Sequence, residues 1–150
     1  MPYIKIWIHA VWTTKNRVPY LKKKIRYKVF KHIKEYADSK GIYIDFINGH
    51  TDHVHCLISL NANQCIADVL HIIKGESSFW INKIELIESK FGWQNKYYAA
   101  SVSRSHVERV RKYIRNQEEH HRSSSLDEEI EDLFPDRNLH PRLKPGETEE

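Results

Sequence analysis

Two apolar segments separated by only four residues constrain the fold of this chain more than any other feature. Residues 42–48 and 53–60 both have the length and the β-branched content of a strand, and Gly49-His50-Thr51-Asp52 lies between them. A connection this short is typical of a β-hairpin, in which the two strands run antiparallel. The sequence therefore predicts a hairpin as one part of a sheet.

The remaining elements surround this hairpin in the order β-α-β-β-α-β. Strands are predicted from period-two alternation, and helices from apolar residues at a spacing of three or four. Gly41 ends the first helix, and Gly75 is the expected point of a break in the second. The predicted strands are 3–13, 42–48, 53–60 and 97–102, and the predicted helices are 22–40 and 66–89. This order indicates an α+β fold, a ferredoxin-like antiparallel sheet with two helices on one face.

A further helix follows the last strand. Ser105 and Glu108 have the spacing of a capping box, and no Gly or Pro interrupts the sequence until well past His121. Tyr113 and Gln117 are four residues apart, which places them one turn apart on the same face of this additional C-terminal helix. A nucleophile and a metal ligand could share one site there. The alternative is a tyrosine at the edge of the core and a solvated glutamine.

A pair of histidines falls inside the second strand of the hairpin. Because the side-chain period of a strand is two, His53 and His55 point to one face while Val54 points into the core. On the predicted sheet the histidines open onto the face that the first two helices leave uncovered, which only the further helix can approach. Two neighbouring imidazoles are half of a metal site, although such a pair is also common as hydrogen-bonded surface.

Brought together, these residues would form an open site for phosphodiester chemistry. The two imidazoles and the Gln117 amide oxygen supply three ligands and leave positions for phosphate oxygens. Tyr113 would attack the phosphorus and form a phosphotyrosine, with the metal and basic surroundings compensating for a phenol pKa of about 10. Such a bond preserves the energy of the phosphodiester, so a second 3′-OH can rejoin the strands without ATP.

The net charge of +4 conceals a strong asymmetry. Residues 124–150 contain nine acidic and three basic side chains, so residues 1–123 carry a net charge of +10. Lysines and arginines in the region 15–34 are interspersed with tyrosines, which suits a polyanion whose exposed bases stack on aromatic rings. Nucleic acid is the expected partner, and a solvated lysine-rich face is the alternative. Candidate contacts are Lys15, Arg17, Lys22 and Lys74.

Length and composition also predict the domain organisation and the compartment. A chain of 150 residues can form one ordinary core, predicted at 1–123, followed by an acidic tail at 124–150 that is expected to be mobile and to contain a short helix over 126–134. The sequence has no stretch of about 20 apolar residues and no secretory signal, which predicts a cytoplasmic protein, associated with the nucleoid when it acts. Cys56 and Cys65 lack the paired spacing of a structural zinc site, so reduced thiols are expected.

Several different short motifs follow one another along the chain. They are Trp12-Thr-Thr-Lys15-Asn-Arg17, Asp52-His53-Val54-His55-Cys56-Leu57-Ile58, Ile73-Lys74-Gly75-Glu76-Ser77-Ser78, Phe91-Gly92-Trp93-Gln94 and Tyr113-Ile-Arg-Asn-Gln117. Together, over residues 3–134, they resemble the single-tyrosine HUH transposases of small bacterial insertion sequences, of the insertion-sequence 200/605 family type. Lys96-Tyr97-Tyr98 departs from the glycine-containing segment that is usual in that family.

The resemblance implies a homodimeric transposase that binds hairpins near the ends of single-stranded element DNA. Such enzymes cut the DNA with Mg²⁺ or Mn²⁺, leave a 5′-phosphotyrosine and a free 3′-OH, and rejoin ends to excise and insert the element. The resemblance implies His53, His55 and Gln117 as metal ligands and Tyr113 as the nucleophile. In relatives the tyrosine helix can cross to the other subunit, with residues 99–105 as the hinge here, which would make the active site composite.

Two other functions stay open at the level of sequence. One is a host-domesticated relative that acts on repeated extragenic palindromes, which the flanks of the gene would reveal. The other is a non-catalytic module, since ferredoxin-like sheets bind single-stranded RNA through exposed aromatic side chains. His50, which is close to the histidine pair, is a further candidate for a residue that supports the ligands.

Overall fold

The structure, a computed structural model, describes residues 3–135, except for the side chains at 122 and 123. The chain forms two compact units, Met1–Glu118 and Glu119–Glu150, which are described separately. The predicted domain boundary after residue 123 stays a prediction, and the part of the acidic tail at 136–150 lies outside the described residues.

A four-stranded antiparallel sheet forms the centre of the first unit. Its strands lie in the spatial order β2-β3-β1-β4, with β1 paired to both β3 and β4, and β2 paired to β3 as the predicted hairpin. The strands are β1 (Ile6–Thr14), β2 (Tyr43–Gly49), β3 (His53–Leu60) and β4 (Trp93–Val102), and the helices of this unit are α1 (Lys23–Ser39), α2 (Ile66–Lys83) and α3 (Val107–Arg115). The predicted ferredoxin-like α+β fold is confirmed.

One face of the sheet packs against α1 and α2 and forms the main core. Alternate residues of the central strands, such as Trp12 in β1 and Val54 in β3, are fully buried in it. Ile33 of α1 and Ile73 of α2 complete the packing, because apolar residues at helical spacing line one side of each helix. Burying a side chain of this size contributes about 1.5–3 kcal/mol, so this face is the main source of stability.

A β-bulge at Asp45 changes which side chains of β2 point to each face of the sheet. Ile44 pairs with Ile58, and the next paired residue, Phe46, pairs with Leu57, which leaves Asp45 as the extra residue. Without the bulge, Ile44 and Phe46 would share a face, because side chains alternate along a strand. With it, Ile44 points into the main core, while Phe46 packs on the opposite side with α3.

Gly49 ends β2 at a point where the backbone of β3 comes very close. A Cβ atom at Gly49 would lie 2.1 Å from the carbonyl oxygen of His53 and 3.0 Å from the Cα atom of Val54. Both contacts are to backbone, which cannot rotate away as a flexible side chain can. Only glycine therefore fits at the start of this hairpin connection.

The second helix differs from its prediction in two respects, the expected break at Gly75 and the position of its C-terminal end. α2 runs through Gly75 without a break and ends at Lys83, so the expected break and the extension to residue 89 are wrong. The polar segment after Ile73 stays helical because it packs: Ser77 is buried, and its hydroxyl accepts a hydrogen bond of 2.8 Å from Nε1 of Trp93. The chain leaves the helix just before Glu85, which has a left-handed φ of 54°.

β4 begins four residues earlier than predicted, at Trp93 rather than Tyr97, and its first part is irregular. Tyr97 pairs with Trp12 whereas Trp93 pairs with Thr14. The two paired positions are therefore four residues apart in β4 but only two residues apart in β1. The ammonium of Lys74, reaching across from α2, donates hydrogen bonds to the carbonyl oxygens of Gln94 at 2.7 Å and Asn95 at 3.3 Å. These bonds satisfy backbone groups that leave the regular ladder.

The predicted helix over 105–121 is interrupted. A 3₁₀ turn, Arg104–His106, precedes α3, and the hydroxyl of Ser105 lies near Ser103 and His106 instead of forming the predicted capping box with Glu108. The helix stops at Asn116, and α4 (Gln117–Ser123) follows. The Asn48 side chain donates hydrogen bonds to the carbonyl oxygens of Ile114 and Arg115, which occupies the acceptors at the end of α3.

The second unit contains α5 (Leu126–Leu133), an acidic helix at the place where a short helix was predicted. Ser125 and Glu128 form the capping box of this helix, with each side chain bonded to the other residue's backbone N–H. The imidazole of His121 lies 2.5 Å from the carboxylate of Glu129 within the same unit. Within residues 3–135, none of the helices has the length and apolar character needed to span a bilayer.

Candidate active site

The two histidines of β3 lie on the face of the sheet that α3 covers. Val54 and Cys56 point into the main core, and His53 and His55 point the other way, as the strand period predicts. Nitrogen atoms of the two imidazoles lie within 4.8 Å of each other. The sequence predicts an open site, but both rings are fully buried, with side chains of the C-terminal segment of this unit against them.

His53 is held between two oxygen atoms. Its Nδ1 lies 2.9 Å from a carboxylate oxygen of Asp52, and its Nε2 lies 3.0 Å from the amide oxygen of Gln117. When Nδ1 carries the proton that it donates to Asp52, the neutral ring has its lone pair on Nε2, facing the lone pairs of Gln117. Two facing donor atoms of this kind favour a shared cation.

The distance between these two donor atoms fits a small divalent ion. Adjacent ligands of an octahedral ion with bonds of about 2.1 Å are about 3 Å apart, and the Nε2–Oε1 distance is 3.0 Å. A ring nitrogen of His55, within 4.8 Å of one of His53, is the third candidate donor. The donor set of two imidazoles and one amide oxygen suits Mn²⁺ better than Mg²⁺, because Mn²⁺ accepts both nitrogen and oxygen ligands whereas Mg²⁺ prefers oxygen.

His9 of β1 is a site residue that the sequence did not reveal. Its Nε2 lies 2.9 Å from Nδ1 of His55, and both side chains are buried. This contact directs Nδ1 of His55 toward His9 of β1. The signal was present in the alternation of β1, which places Trp7 and His9 on the face opposite the core, but only the pairing of β1 with β3 brings His9 to His55.

Tyr113 lies beside His55 in the same chain. Its ring centroid is 5.6 Å from that of His55 and 6.2 Å from that of His9, both in edge-to-face geometry. The ring is half-buried and packs with Leu57 and Ile114 in the small apolar cluster under α3. The structure thus brings Tyr113, Gln117 and the two histidines of β3 together, even though α3 stops between Tyr113 and Gln117.

An ion pair anchors α3 to the sheet. The guanidinium of Arg111 donates two hydrogen bonds of 2.6 Å, one to each carboxylate oxygen of Asp45, the residue of the bulge in β2. A bidentate pair fixes direction as well as distance. Together with the bonds from Asn48, this pair sets the position of α3 over the histidines, and neither contact was predicted from sequence.

Asp52 connects the histidine pair to a candidate DNA contact. Its second carboxylate oxygen lies 3.4 Å from Nε of Arg17. Burial alone would raise the pKa of Asp52, but the hydrogen bond and charge of His53, followed by the charge of Arg17, outweigh it and hold the pKa below its ordinary value of 3.8. Asp52 is therefore ionised near neutral pH and keeps the Nδ1 proton of His53 in place.

The other residues singled out from sequence lie around this site or apart from it. The ring centroid of His50 is 6.4 Å from that of His53. Lys15 is exposed directly after β1, and Lys22 is exposed at the start of α1. Lys74 is bound to the irregular part of β4, and burial lowers its pKa. Cys56 points into the core, where burial raises the pKa of its thiol, so it does not join the donor set.

Comparison with known proteins gives consistent matches. The family model described as IS200-like transposase matches residues 3–117. ISDra2 transposase TnpA of Deinococcus radiodurans is 26% identical over 114 residues, which cover 73% of this chain and 81% of that protein.

Two solved structures share the fold. A candidate transposase of Deinococcus radiodurans superposes with a TM-score of 0.63 at 21% identity, covering 77% of this chain and 93% of that one. A REP-associated tyrosine transposase bound to a REP hairpin superposes with a TM-score of 0.60 at 18% identity, covering 81% of this chain and 72% of that one.

Proposed function

The chain belongs to the IS200-like transposase family, and we propose that it is a metal-dependent enzyme that cleaves and rejoins single-stranded DNA at the ends of an insertion sequence through a 5′-phosphotyrosine. The observation that carries this proposal is the pair of donor atoms on His53 and Gln117, 3.0 Å apart, with the phenol of Tyr113 next to the neighbouring imidazole. A module that only binds nucleic acid has no need of a buried donor set beside a tyrosine.

His53, His55 and Gln117 would hold the Mg²⁺ or Mn²⁺ ion. When bound, the ion polarises the phosphodiester and stabilises the negative charge that develops on its oxygens. Asp52 keeps the lone pair of His53 on Nε2, and His9 holds Nδ1 of His55, so both imidazoles are oriented before DNA arrives. His50, beside His53, is the remaining candidate for a supporting residue.

Tyr113 would act as the nucleophile. Its phenolic oxygen forms a bond to phosphorus, the bond between phosphorus and the 3′ oxygen breaks, and the phenolic proton passes to solvent. The departing oxygen takes up a proton and becomes a free 3′-OH, while the 5′ phosphate stays on the tyrosine. Attack by a second 3′-OH on the phosphotyrosine reverses these steps and joins two strands. In this structure the ring of Tyr113 lies beside that of His55 in the same chain.

The proposed substrate is single-stranded DNA that carries hairpins. Residues 1–123, to which we assign catalysis, have a net charge of +10, which favours a polyanion. Lys15, Arg17, Lys22 and Lys74 are the proposed contacts, and Arg17 is the nearest of them to the histidines, because it pairs with Asp52. A transposase of the same fold is bound to a REP hairpin. A homodimer is proposed on the same family grounds, and composite sites would require α3 to be exchanged between the two subunits.

A covalent-adduct assay tests the central step. The protein is mixed with end-labelled single-stranded oligonucleotides taken from both flanks of its gene, with Mn²⁺ or with EDTA, and run on a denaturing gel. We expect an adduct that needs the metal and is absent in Tyr113→Phe. Tyr43→Phe is the matched control, because Tyr43 is 56% exposed at the start of β2 and belongs neither to the histidine site nor to the proposed DNA contacts.

The possible outcomes separate the competing functions. Binding without any metal-dependent adduct would overturn the transposase proposal and favour a non-catalytic module. An adduct that forms only on palindromic repeats from elsewhere in the genome would replace the insertion-sequence substrate with that of a host-domesticated relative.

A further inference from the structure

A cavity lies on the other side of the sheet from the histidines. It has a volume of about 290 Å³ and is bounded by α2 and the irregular first part of β4. Lys74, Ser78, Asn95 and Tyr97 are among the residues that line it. Cationic, amide and aromatic groups in one cavity suit a ligand that combines an anion with a polar aromatic ring.

The cavity results from the register shift in β4. Because β4 uses four residues where β1 uses two, Gln94 and Asn95 bend away from the ladder and form one wall. Lys74 holds this wall by its hydrogen bonds to the carbonyl oxygens of both residues and, at 3.5 Å, of Lys96, so a phosphate would meet the charge of this ammonium. The ammonium also lies 5.7 Å from the centroid of the Tyr97 ring, so its charge stays at the cavity.

Gly75 forms part of the opposite wall and has no evident role in folding. A Cβ atom at this position would meet no protein atom within 4 Å, and the residue lies inside α2 with ordinary helical geometry. A glycine inside a helix lowers the folded-to-unfolded ratio about fivefold relative to alanine. What the glycine provides is bare helix backbone facing the cavity, where a ligand can approach closely.

The cavity and the histidine pair lie at the same end of the sheet. Thr14 pairs with Trp93, which lines the cavity, and the preceding residue, Thr13, pairs with His53. Two strand spacings separate β4 from β3, about 10 Å. A single strand of DNA that passes around the edge at β4 can therefore reach both places.

We propose that this cavity binds one unpaired nucleotide of the single-stranded DNA substrate, with the base over the backbone of Gly75 between Tyr97 and Asn95 and the phosphate toward Lys74. The inference rests on the proposed function and extends it, because it assigns a site for substrate that lies outside the catalytic residues. Gly75 is the residue that makes room for the base.

Fluorescence anisotropy with two probes of equal charge tests this assignment. One probe is an oligothymidylate of about 12 nucleotides, and the other is an abasic phosphodiester chain of the same length. Both are titrated in EDTA, so that no cleavage occurs. For Gly75→Leu we expect Kd to rise about tenfold for oligothymidylate and less than about twofold for the abasic chain, because the leucine side chain displaces only the base.

Two further variants serve as controls. Gly75→Ala should shift the unfolding equilibrium about fivefold toward the folded state while still weakening oligothymidylate binding. Phe79→Trp adds volume on the same helix at a residue that is 63% exposed and does not line the cavity, so its Kd should be unchanged.

The results distinguish this inference from the function on which it rests. If the wild-type protein binds neither probe, the proposed function fails. If it binds oligothymidylate and folded Gly75→Leu binds it equally well, the nucleotide site is wrong and the proposed function stands. Equal weakening on both probes would also overturn the base assignment, because it would mean that the leucine obstructs the DNA backbone.

Discussion

The two faces of the sheet are held together in different ways. On the face toward α1 and α2, buried apolar side chains from both helices and from the central strands form one large cluster. On the face toward α3, the buried apolar cluster is small, with Leu57, Val107 and Ile114 as its members among the described residues. Polar contacts also hold α3 on this face, namely the bidentate pair of Asp45 and Arg111 and the contact between His53 and Gln117.

This difference separates the source of stability from the source of chemistry. Apolar burial is non-directional, so the α1–α2 face tolerates small shifts as long as its volume stays filled. Hydrogen bonds require particular distances and angles, so the α3 face places donor atoms within tenths of an ångström. A substitution on the first face should therefore reduce stability, and one on the second should reduce activity.

After the loss of Tyr113, removing Gln117 should have the largest effect on activity. Gln117→Ala deletes one of the two donor atoms that lie 3.0 Å apart, and losing a metal ligand of this kind is worth several kcal/mol in the transition state. We expect adduct formation to slow about 10³-fold, equivalent to about 4 kcal/mol, with a much smaller change in the free energy of unfolding.

Gln64→Ala is the matched control for this loss. Gln64 is a glutamine outside the site, which donates a hydrogen bond to the carbonyl oxygen of Gly41. Its replacement should leave the rate of adduct formation unchanged. A Gln117→Ala protein that still forms the adduct at the wild-type rate would remove Gln117 from the proposed ligands.

The same substitution on the two faces gives the most direct comparison. Ile73 and Ile114 are both almost completely buried, Ile73 in the large cluster and Ile114 in the small one. Isoleucine to alanine in a core costs about 2–5 kcal/mol, and most where the surroundings cannot collapse. We expect Ile73→Ala near the top of this range and Ile114→Ala near the bottom, by urea denaturation.

Adduct formation should reverse this order. Ile114 lies next to Tyr113 and packs under α3, so Ile114→Ala should slow adduct formation more than Ile73→Ala does at a temperature where both proteins are folded. Equal effects of both variants on stability and on activity would show that the two faces are not separate in function.

Gly49→Ala should affect both faces at once. The added Cβ would meet backbone atoms of His53 and Val54, which belong to opposite faces of β3. Because the neighbouring backbone must shift, we expect a loss of about 1–3 kcal/mol in the free energy of unfolding, together with slower adduct formation. Gly92→Ala is the control, since a Cβ there would come within 3.8 Å of only the Lys15 side chain, which can move.

The architecture follows from local patterns in the sequence, but the details that complete the site do not. Alternation predicts which face His53 and His55 occupy, and the order of elements predicts the sheet and its two helices. The end of α3 depends on Asn48, which is 66 residues from Ile114 along the chain. Likewise, the bulge at Asp45 has no local sequence signal, because it follows from packing Ile44 and Phe46 on opposite faces.

Local signals also misled in one region. Ser105 and Glu108 have capping-box spacing, yet a 3₁₀ turn forms there, with Ser105 near Ser103 and His106. His9 shows the opposite case, since nothing near it in sequence suggests chemistry and only strand pairing brings it to His55. Long-range pairing therefore decides the position of His9, and short windows of sequence cannot predict it.

The ion pair that anchors α3 can be tested by comparing the interaction energies of Arg111 with its two carboxylate partners. Arg111 bonds to Asp45, whose side chain is 8% exposed, and to Glu108, whose side chain is 78% exposed. A double-mutant cycle with Arg111→Gln and Asp45→Asn should give a coupling energy of about 1 kcal/mol or more. The cycle with Glu108→Gln should give about 0.3 kcal/mol, because exposed pairs are screened by solvent. A larger coupling to Glu108 would contradict the assignment of Asp45 as the anchor.

The smallest expected effect is the change that Asp52 makes to the free energy of unfolding at acid pH. The pKa of Asp52 is held below its ordinary value of 3.8 in the folded protein, so its ionised form stabilises the fold above that value. This contribution is lost as the pH falls below 3.8 through the folded-state pKa. Asp52→Asn should therefore show a shallower fall in the free energy of unfolding with acid than the wild type, in urea titrations between about pH 6 and 2.

The same variant links this small effect on stability to the polar face. Asparagine keeps the shape of Asp52 but lacks the charge that holds the Nδ1 proton of His53, so the apparent affinity for Mn²⁺ in the adduct assay should fall about 10–100-fold. Asp38→Asn, at an exposed position near the end of α1, is the control for both measurements. If Asp52→Asn alters the acid response but leaves the Mn²⁺ requirement unchanged, Asp52 stabilises the hairpin connection without orienting His53.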